Sequence, residues 1–318
     1  MEIIGIDLGS NSLRGVRMKV VDSKGRKEFI ALKEYDCTVR TAEELEESGV
    51  ICEQAVCRII NGLLKMKEVL EISSSDRVIA LTTQAMRRAK NREEVLQEIF
   101  KKSGIRFRII NGEMEAKITA LAPKLALEKL RIQNSKYDRD CFLLIDMGGA
   151  SSEFIVCKNM ESQNIEFAKS FEIGIVSAKD RFKSVESLKE HKDVFLKEIV
   201  EFVESCKTKG MIPKFLVANS GTPTLVCAFK LGLKKYDSKA VFGKSLLRED
   251  FDTMLRSFLK LNKEEQASLV GEFKADVVPF GVALFTCFME TLGFKECLVI
   301  DEGLREGAVI TFALEAIK

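Results

Sequence analysis

Near its start the chain carries a short apolar run that closes on an acid, Glu2-Ile-Ile-Gly-Ile-Asp7, followed at once by Leu-Gly-Ser-Asn-Ser. The same pattern returns at Cys141-Phe-Leu-Leu-Ile-Asp146, followed by Met-Gly-Gly-Ala-Ser-Ser. An apolar run this short reads as a buried strand. Each copy is then a strand, an Asp-x-Gly turn and a second strand. Asp7 and Asp146 stand 139 positions apart, the length of a domain rather than of a small solenoid unit. A chain of 318 residues holds two domains of about 100–200 residues each. The expectation is a duplicated α/β domain with a ligand cleft between the halves.

The rest of the chain fits that plan. In the first half, strands are expected at 12–20 and 26–36, turned at Asp22-Ser-Lys-Gly25, and again at Arg77–Leu81 and Arg106–Ile110. Helices are expected at about 50–70, 91–102 and 112–129. The polar stretch 128–140 reads as a linker. The second half supplies strands at 153–158, 165–172, Phe215–Ala218 and Cys297–Ile300. Its helices are expected at about 174–182, 186–206, 223–231, 248–260, 263–270 and 277–291, with a final helix from 302.

Each Asp-x-Gly loop has the parts of a phosphate grip. Glycine lets backbone amides approach an anion closely, and the aspartate is placed to hold a hydrated Mg²⁺. One such loop is ordinarily a plain turn; two in matching context favour phosphate. A third small-residue loop, Asn219-Ser220-Gly221-Thr222, opens a helix, where free amides and the dipole attract anions. An ordinary N-cap by Ser220 or Thr222 is the competing explanation. The run Arg87-Arg88-Ala-Lys90-Asn-Arg92 reads as a solvated helix face, although Arg87 lies close behind a strand end, where a guanidinium fork suits phosphate. Glu113 and Glu115 open a helix, where acids are ordinary dipole partners. A carboxylate there, facing a cleft, is also placed to act as a general base.

Composition removes whole classes of chemistry. With 50 basic and 48 acidic residues the chain lacks the global positive field of a nucleic-acid binder, so an anionic substrate must be met by a local concentration of charge. Nine cysteines without a Cys-x-x-Cys pair, mostly inside apolar runs such as Ala-Val-Cys57 and Leu-Val-Cys227, read as reduced and buried. The single histidine, His191, sits in a charged helical stretch, which rules out a histidine triad or metal cluster. No apolar run reaches about 18 residues and no signal pattern opens the chain, so the expected compartment is the cytoplasm, without membrane contact.

The ordered set of motifs resembles the exopolyphosphatase / guanosine pentaphosphate phosphohydrolase (Ppx/GppA) family in its short, two-domain form. The resemblance runs through Ile-Asp7-Leu-Gly-Ser-Asn11-Ser, Thr83-Gln-Ala-Met-Arg87, Gly112-Glu-Met-Glu115-Ala and Ile-Asp146-Met-Gly-Gly-Ala-Ser-Ser-Glu153. It continues through Gly174, Ser220-Gly-Thr222, Lys274-Ala-Asp-Val-Val and Asp301-Glu-Gly-Leu-Arg305-Glu-Gly307. It implies ribonuclease H-like domains of the actin-like ATPase superfamily: domain I over 1–130, joined by the helix 302–318, and domain II over 131–301. It implies Glu115 as the base that activates water, and Asp146 and Glu153 as the residues that hold Mg²⁺ and help place that water. Asp7 would face them from the other domain. Ser10, Asn11, Arg87, Gly148, Gly149, Ser151, Ser220, Gly221 and Thr222 would line the phosphate path. Lys274 stands where the family commonly has arginine, Lys117 replaces another arginine, and Ala150 replaces a glycine.

The activity implied is Mg²⁺-dependent removal of the terminal phosphate from inorganic polyphosphate or guanosine pentaphosphate, with a homodimer and a monomer both left open. A non-catalytic (p)ppGpp or nucleotide sensor of the same fold is the alternative, and Glu115, Asp146 and Glu153 together count against it. An ATP-using sugar kinase or assembly protein is disfavoured by the Gly-x-x-Glu-Ala helix start and the Asp-Glu-Gly-Leu-Arg-Glu-Gly ending.

Overall fold

In the computed structural model the described residues are 1–23, 26–133, 141–157 and 167–315. Parts of several expectations lie outside them: 24–25 of the first turn, 134–140 of the linker, position 158, and residues 165–166 and 316–318.

The elements run in this order. First come strands β1 (Glu2–Leu8), β2 (Ser12–Ser23) and β3 (Arg26–Thr38), then helices α1 (Leu45–Ser48) and α2 (Glu53–Val69). β4 (Arg77–Thr82), α3 (Gln84–Arg88), α4 (Arg92–Ser103), β5 (Phe107–Ile109) and α5 (Gly112–Gln133) follow. The pattern restarts with β6 (Phe142–Met147), β7 (Ser152–Cys157), β8 (Phe167–Phe171), α6 (Ile175–Phe182), α7 (Val185–Glu190) and α8 (Asp193–Thr208). Then come β9 (Phe215–Asn219), α9 (Gly221–Lys230), α10 (Ser238–Val241), β10 (Ser245–Leu247) and α11 (Arg248–Lys260). The chain closes with α12 (Lys263–Val270), α13 (Glu272–Ala275), α14 (Val278–Leu292), β11 (Glu296–Val299) and α15 (Leu304–Glu315).

The chain divides into unit 1, Met1–Ala122 with Gly303–Lys318, and unit 2, Pro123–Glu302. Unit 1 holds a five-stranded sheet in the order β3-β2-β1-β4-β5, with β1, β4 and β5 parallel and β2 and β3 antiparallel. Unit 2 repeats that order as β8-β7-β6-β9-β11 and adds β10 as an antiparallel edge. Both units therefore adopt the ribonuclease H-like α/β strand order.

Burial explains the strand sequences. β1 is covered on both faces, so Ile3, Ile4, Ile6 and Leu8 form a near-continuous apolar run. α2 lays the stripe Ala55, Val56, Ile59, Ile60, Leu63 and Met66 inward, as the 3.6-residue period requires. Cys57 falls off that stripe and is exposed, which corrects the reading of it as buried; Cys141, Cys157, Cys206, Cys227, Cys287 and Cys297 are buried. In unit 2, α14 is buried on nearly every side, from Val278 through Met289, and Phe288 meets Phe154 of β7 edge-on. The helix expected over 186–206 is two helices. The helix breaks at His191, whose φ of −104° and ψ of 21° leave the helical region and whose Nδ1 lies 2.9 Å from Ser187 O. α5 runs through Gln133, so the stretch expected as a linker is helical up to that point.

Candidate functional site

In unit 1 the singled-out residues gather at the carboxyl ends of the parallel strands, where open α/β sheets bind ligands. Asp7 is the penultimate residue of β1, and loop 1 (Gly9–Ser12) follows Leu8 directly. Arg87 sits on α3 after β4, and Glu115 in the first turn of α5 after β5. Asp7 lies opposite Arg14 on one side and Leu81 on the other.

Arg87 and Glu115 touch. Arg87 NH1 donates to Glu115 Oε2 at 2.8 Å and to the Ile110 carbonyl at 2.6 Å, while its NH2 donates to Gln84 Oε1. Glu115 is 7% exposed. Glu113 behaves differently: it is exposed and accepts from Lys117 Nζ at 2.6 Å, and that ammonium lowers its carboxyl from the usual range. The helix start itself is capped by Asn111, whose Oδ1 accepts from Met114 N–H at 2.8 Å. Glu115 is thus released from ordinary capping duty. The Lys117 departure acts on the surface, away from Glu115.

Unit 2 repeats the first half-site with one change of charge. The position opposite Asp146 is Glu153, where unit 1 has Arg14 opposite Asp7. Directly opposed residues of an antiparallel pair project from the same face, and like charges there repel. Glu153 is buried, and its Oε1 accepts from Ser170 Oγ at 2.7 Å. Two carboxylates so placed fit Mg²⁺, which binds through one or two protein carboxylates and fills its remaining positions with water and phosphate oxygens. Among the described residues no group of three or more His, Cys, Asp or Glu forms a closed metal cage.

Loop 2 (Gly148–Ser151) closes with Gly148 N–H donating to Ser151 O at 2.9 Å, as Gly9 N–H donates to Ser12 O at 2.9 Å in loop 1. The first turn of α6 then takes the loop's carbonyls. Ile175 N–H donates to Gly148 O at 3.0 Å, Val176 N–H to Gly149 O at 2.7 Å, and Ser177 Oγ to Ala150 O at 3.2 Å. In a planar trans peptide the carbonyl and the following N–H point in opposite directions. The N–H groups of Gly149, Ala150 and Ser151 therefore point away from α6, and successive amides so aligned make an anion-binding concavity. Loop 1 is held from behind in the same way, by Ala42 N–H on Ser10 O at 2.9 Å and by Val39 and Arg40 N–H on Asn11 O at 2.9 and 3.0 Å. Ser10 and Asn11 are buried, and Asn11 Oδ1 has no hydrogen-bond partner among the described residues.

The third loop answers the N-cap question. Ser220 stands at the N-cap of α9 but makes no side-chain cap bond, and its φ of 98° is a region that side-chain-bearing residues rarely adopt. Such strain costs about 1–3 kcal/mol and collects at functional sites. Its buried hydroxyl has no partner among the described residues. Gly221 is exposed, and a Cβ there would meet nothing within 4 Å. Thr222 is buried beneath α14, where Gly281 leaves it room: a Cβ on Gly281 would lie 2.5 Å from Thr222 Oγ1. Lys274 is half-buried on α13.

Sequence reasoning missed Gln84 and Ser177. Gln84 lies one turn before Arg87 on α3, a spacing that offered a signal. Ser177 reaches loop 2 only through tertiary packing and offered none.

A model of the Ppx/GppA phosphatase family matches residues 20–316. A bifunctional 3-dehydroquinate synthase/phosphatase of Fusobacterium nucleatum is 25% identical over 93% of this chain, which spans only 44% of that protein's length. A candidate exopolyphosphatase of Haemophilus influenzae is 24% identical over 97% of this chain and 90% of its own length. The crystal structure of the Ppx/GppA family member of Aquifex aeolicus superposes with a TM-score of 0.71 at 26% identity, covering 100% of this chain and 99% of that one.

Proposed function

Because this chain belongs to the Ppx/GppA phosphatase family and is a hydrolase of that kind, we propose that it removes the terminal phosphate from inorganic polyphosphate or guanosine pentaphosphate by Mg²⁺-assisted attack of water. What supports this most is loop 2, whose three carbonyls are taken by α6 so that three consecutive amides face outward together.

In this proposal the amides of Gly149, Ala150 and Ser151, with the hydroxyl of Ser220, grip the terminal phosphoryl group. Loop 1, with Asp7, Ser10 and Asn11, grips the phosphate chain from unit 1. Lys274 adds a charge. Glu115, oriented by Arg87, takes a proton from water as its oxygen bonds to phosphorus. The bond to the bridging oxygen breaks, giving orthophosphate and a chain shorter by one unit. Mg²⁺ held by Asp146 and Glu153 would neutralise charge on the phosphoryl oxygens. Phosphoryl transfer needs positioning and charge neutralisation more than covalent chemistry, so no histidine is required.

Among the described residues no helix is long and apolar enough to cross a membrane. The proposal places the enzyme in the cytoplasm, a compartment that keeps cysteines reduced.

The test is orthophosphate release by the purified chain with Mg²⁺ on long polyphosphate, tripolyphosphate, guanosine pentaphosphate and ATP. Release from polyphosphate or guanosine pentaphosphate is expected. Glu115→Gln should lower kcat by about 10²–10⁴-fold, the usual contribution of a general base, while still binding polyphosphate. Full turnover by that variant would remove Glu115 from its role, and no release from any substrate by the parent would overturn the proposal.

A further inference from the structure

The near-balance of 50 basic and 48 acidic residues means that a polyanion must meet a local excess of charge. One such excess lies in unit 2, between α9 and β10. There Lys234, Lys235, Lys239 and Lys244 stand against one acid, Asp237. Asp237 is already engaged at the start of α10, where its Oδ1 accepts from Lys239 N–H at 2.9 Å and Ala240 N–H at 3.4 Å. The four lysines are exposed, and among the described residues none of them forms an ion pair. Lys230, at the end of α9, is different: Asp250 neutralises it at 2.7 Å.

Two anchors carry this segment to the strand ends that bear the phosphate loops. Tyr236 OH donates to Asp301 Oδ2 at 2.6 Å, just past the end of β11. Gly243 N–H donates to Val299 O at 2.9 Å, and Lys244 O accepts from Val299 N–H at 2.8 Å. β11 runs parallel to β9, with Val299 opposite Ala218. Beyond that pair, Ile300 N–H still donates to Ala218 O at 3.1 Å, and Asn219 Nδ2 donates to the Glu302 carbonyl. Asp301, with Tyr236 bound to it, therefore sits at the same end of the sheet as Ser220. The lysines flank that tyrosine.

We propose that the Lys234–Lys244 segment is a subsite for the part of a condensed phosphate chain that extends beyond the reacting phosphoryl group. This rests on the phosphate-hydrolysing reading above. An ammonium is a point charge on a flexible stem and imposes little geometry. Several of them in a row suit a repeating linear polyanion better than one fixed phosphate. Attraction at this exposed surface reaches about 8–10 Å at ordinary salt, so its contribution grows with the length of chain laid along it.

The test compares the parent with Lys234→Ala/Lys235→Ala/Lys239→Ala. Binding of long-chain polyphosphate and of tripolyphosphate is measured by displacement of a fluorescent polyphosphate over a series of salt concentrations. Long-chain affinity is expected to fall by about tenfold, and the slope of log Kd against log salt to drop by about 2, near 0.7 for each lost contact. Tripolyphosphate affinity should stay within about twofold, since a short chain does not reach the segment. Unchanged long-chain affinity would overturn the subsite, as would an equal loss for both ligands. The readout is binding, so it remains decisive if the parent releases no orthophosphate; that separate result would overturn the hydrolytic reading alone.

Discussion

Glu113 and Glu115 lie in the same helical turn and meet opposite fates. Glu113 faces water and pairs with Lys117, an exposed i,i+4 pair that water and salt screen. Glu115 turns inward onto a guanidinium that Ile110 O and Gln84 hold from two other sides. Glu113→Gln should therefore leave orthophosphate release within about twofold of the parent, against the large loss expected for Glu115→Gln. Equal losses would show that the helix start, rather than one carboxylate, is what matters. A second guanidinium does purely structural work. Arg17 donates to Leu70 O and Glu71 O and pairs with both oxygens of Asp76, at 3.1 and 2.9 Å. That guanidinium, with Ser73 N–H, draws the Asp76 carboxyl down to about 2. A depressed carboxylate contributes stability that is complete above its ordinary value of 3.8 and is lost as pH falls towards about 2. Full linkage would be worth about 2 kcal/mol, and screening at this partly exposed site reduces it to about 1. Asp76→Asn should lower the melting temperature at pH 7, and the gap to the parent should close between about pH 4 and pH 2. A gap independent of pH would assign the loss to packing.

The smallest element with a large effect is the first turn of α6. A Cβ on Gly174 would lie 2.6 Å from Gly148 O and from the Gly149 backbone, so Gly174→Ala must push loop 2 out of place. Overpacking of this kind costs about 1–3 kcal/mol. Ser177→Ala removes the bond to Ala150 O and leaves the Gly174 N–H without its acceptor, but forces no clash. If α6 aims the loop's amides, Ser177→Ala should raise KM for polyphosphate with melting nearly unchanged, and Ser177→Thr should restore it. Gly174→Ala should impair both KM and melting. A Ser177→Ala enzyme with the parent's KM would separate α6 from phosphate binding. Of these residues the sequence singled out Gly174 alone, through the family resemblance and without its role. A buried strand ending in Asp announces itself locally, through apolar runs such as Leu143–Ile145, and so does an amphipathic helix such as α2. Ser177 and Gly174 act through a contact with residues some 25 positions earlier, which no local pattern records. The short α3 that carries Gln84 and Arg87 was hidden for a related reason: at five residues it is too brief for a period to show. The break at His191 was hidden because charged residues continue unchanged across it.

At the scale of the whole molecule the duplication sets the plan, and its asymmetries assign the roles. The two sheets share a strand order and the two loops share a closing bond, yet Arg14 opposite Asp7 gives unit 1 a neutral pair, while Glu153 opposite Asp146 gives unit 2 a doubled negative charge. In the proposed reaction that one substitution between repeats is what separates the phosphate grip of unit 1 from the Mg²⁺-holding pair of unit 2. The resemblance already joined the helix from 302 to the first domain, and the packing of α15 supplies the physical reason. Val309 and Ala313 of α15 share a core with Ile3, Val16 and Met18. The helix seats so closely that a Cβ on Gly5 would lie 2.0 Å from Arg305 O, and one on Gly307 2.0 Å from Ile118 O. Arg305 is buried and pairs with Glu34 at 2.8 Å. Removing residues 303–318 would uncover that face of β1. Losing the burial of Leu304, Val309, Ile310 and their partners costs about 5–10 kcal/mol at about 1.5–3 kcal/mol per large side chain, comparable to the whole stability of a typical domain. The truncated chain should therefore be cut by protease throughout 1–122 while a fragment of unit 2 persists, and Gly5→Ala in the full chain should lower the first melting transition more than the second. Protease resistance of 1–122 in the truncated chain would show that unit 1 folds without α15.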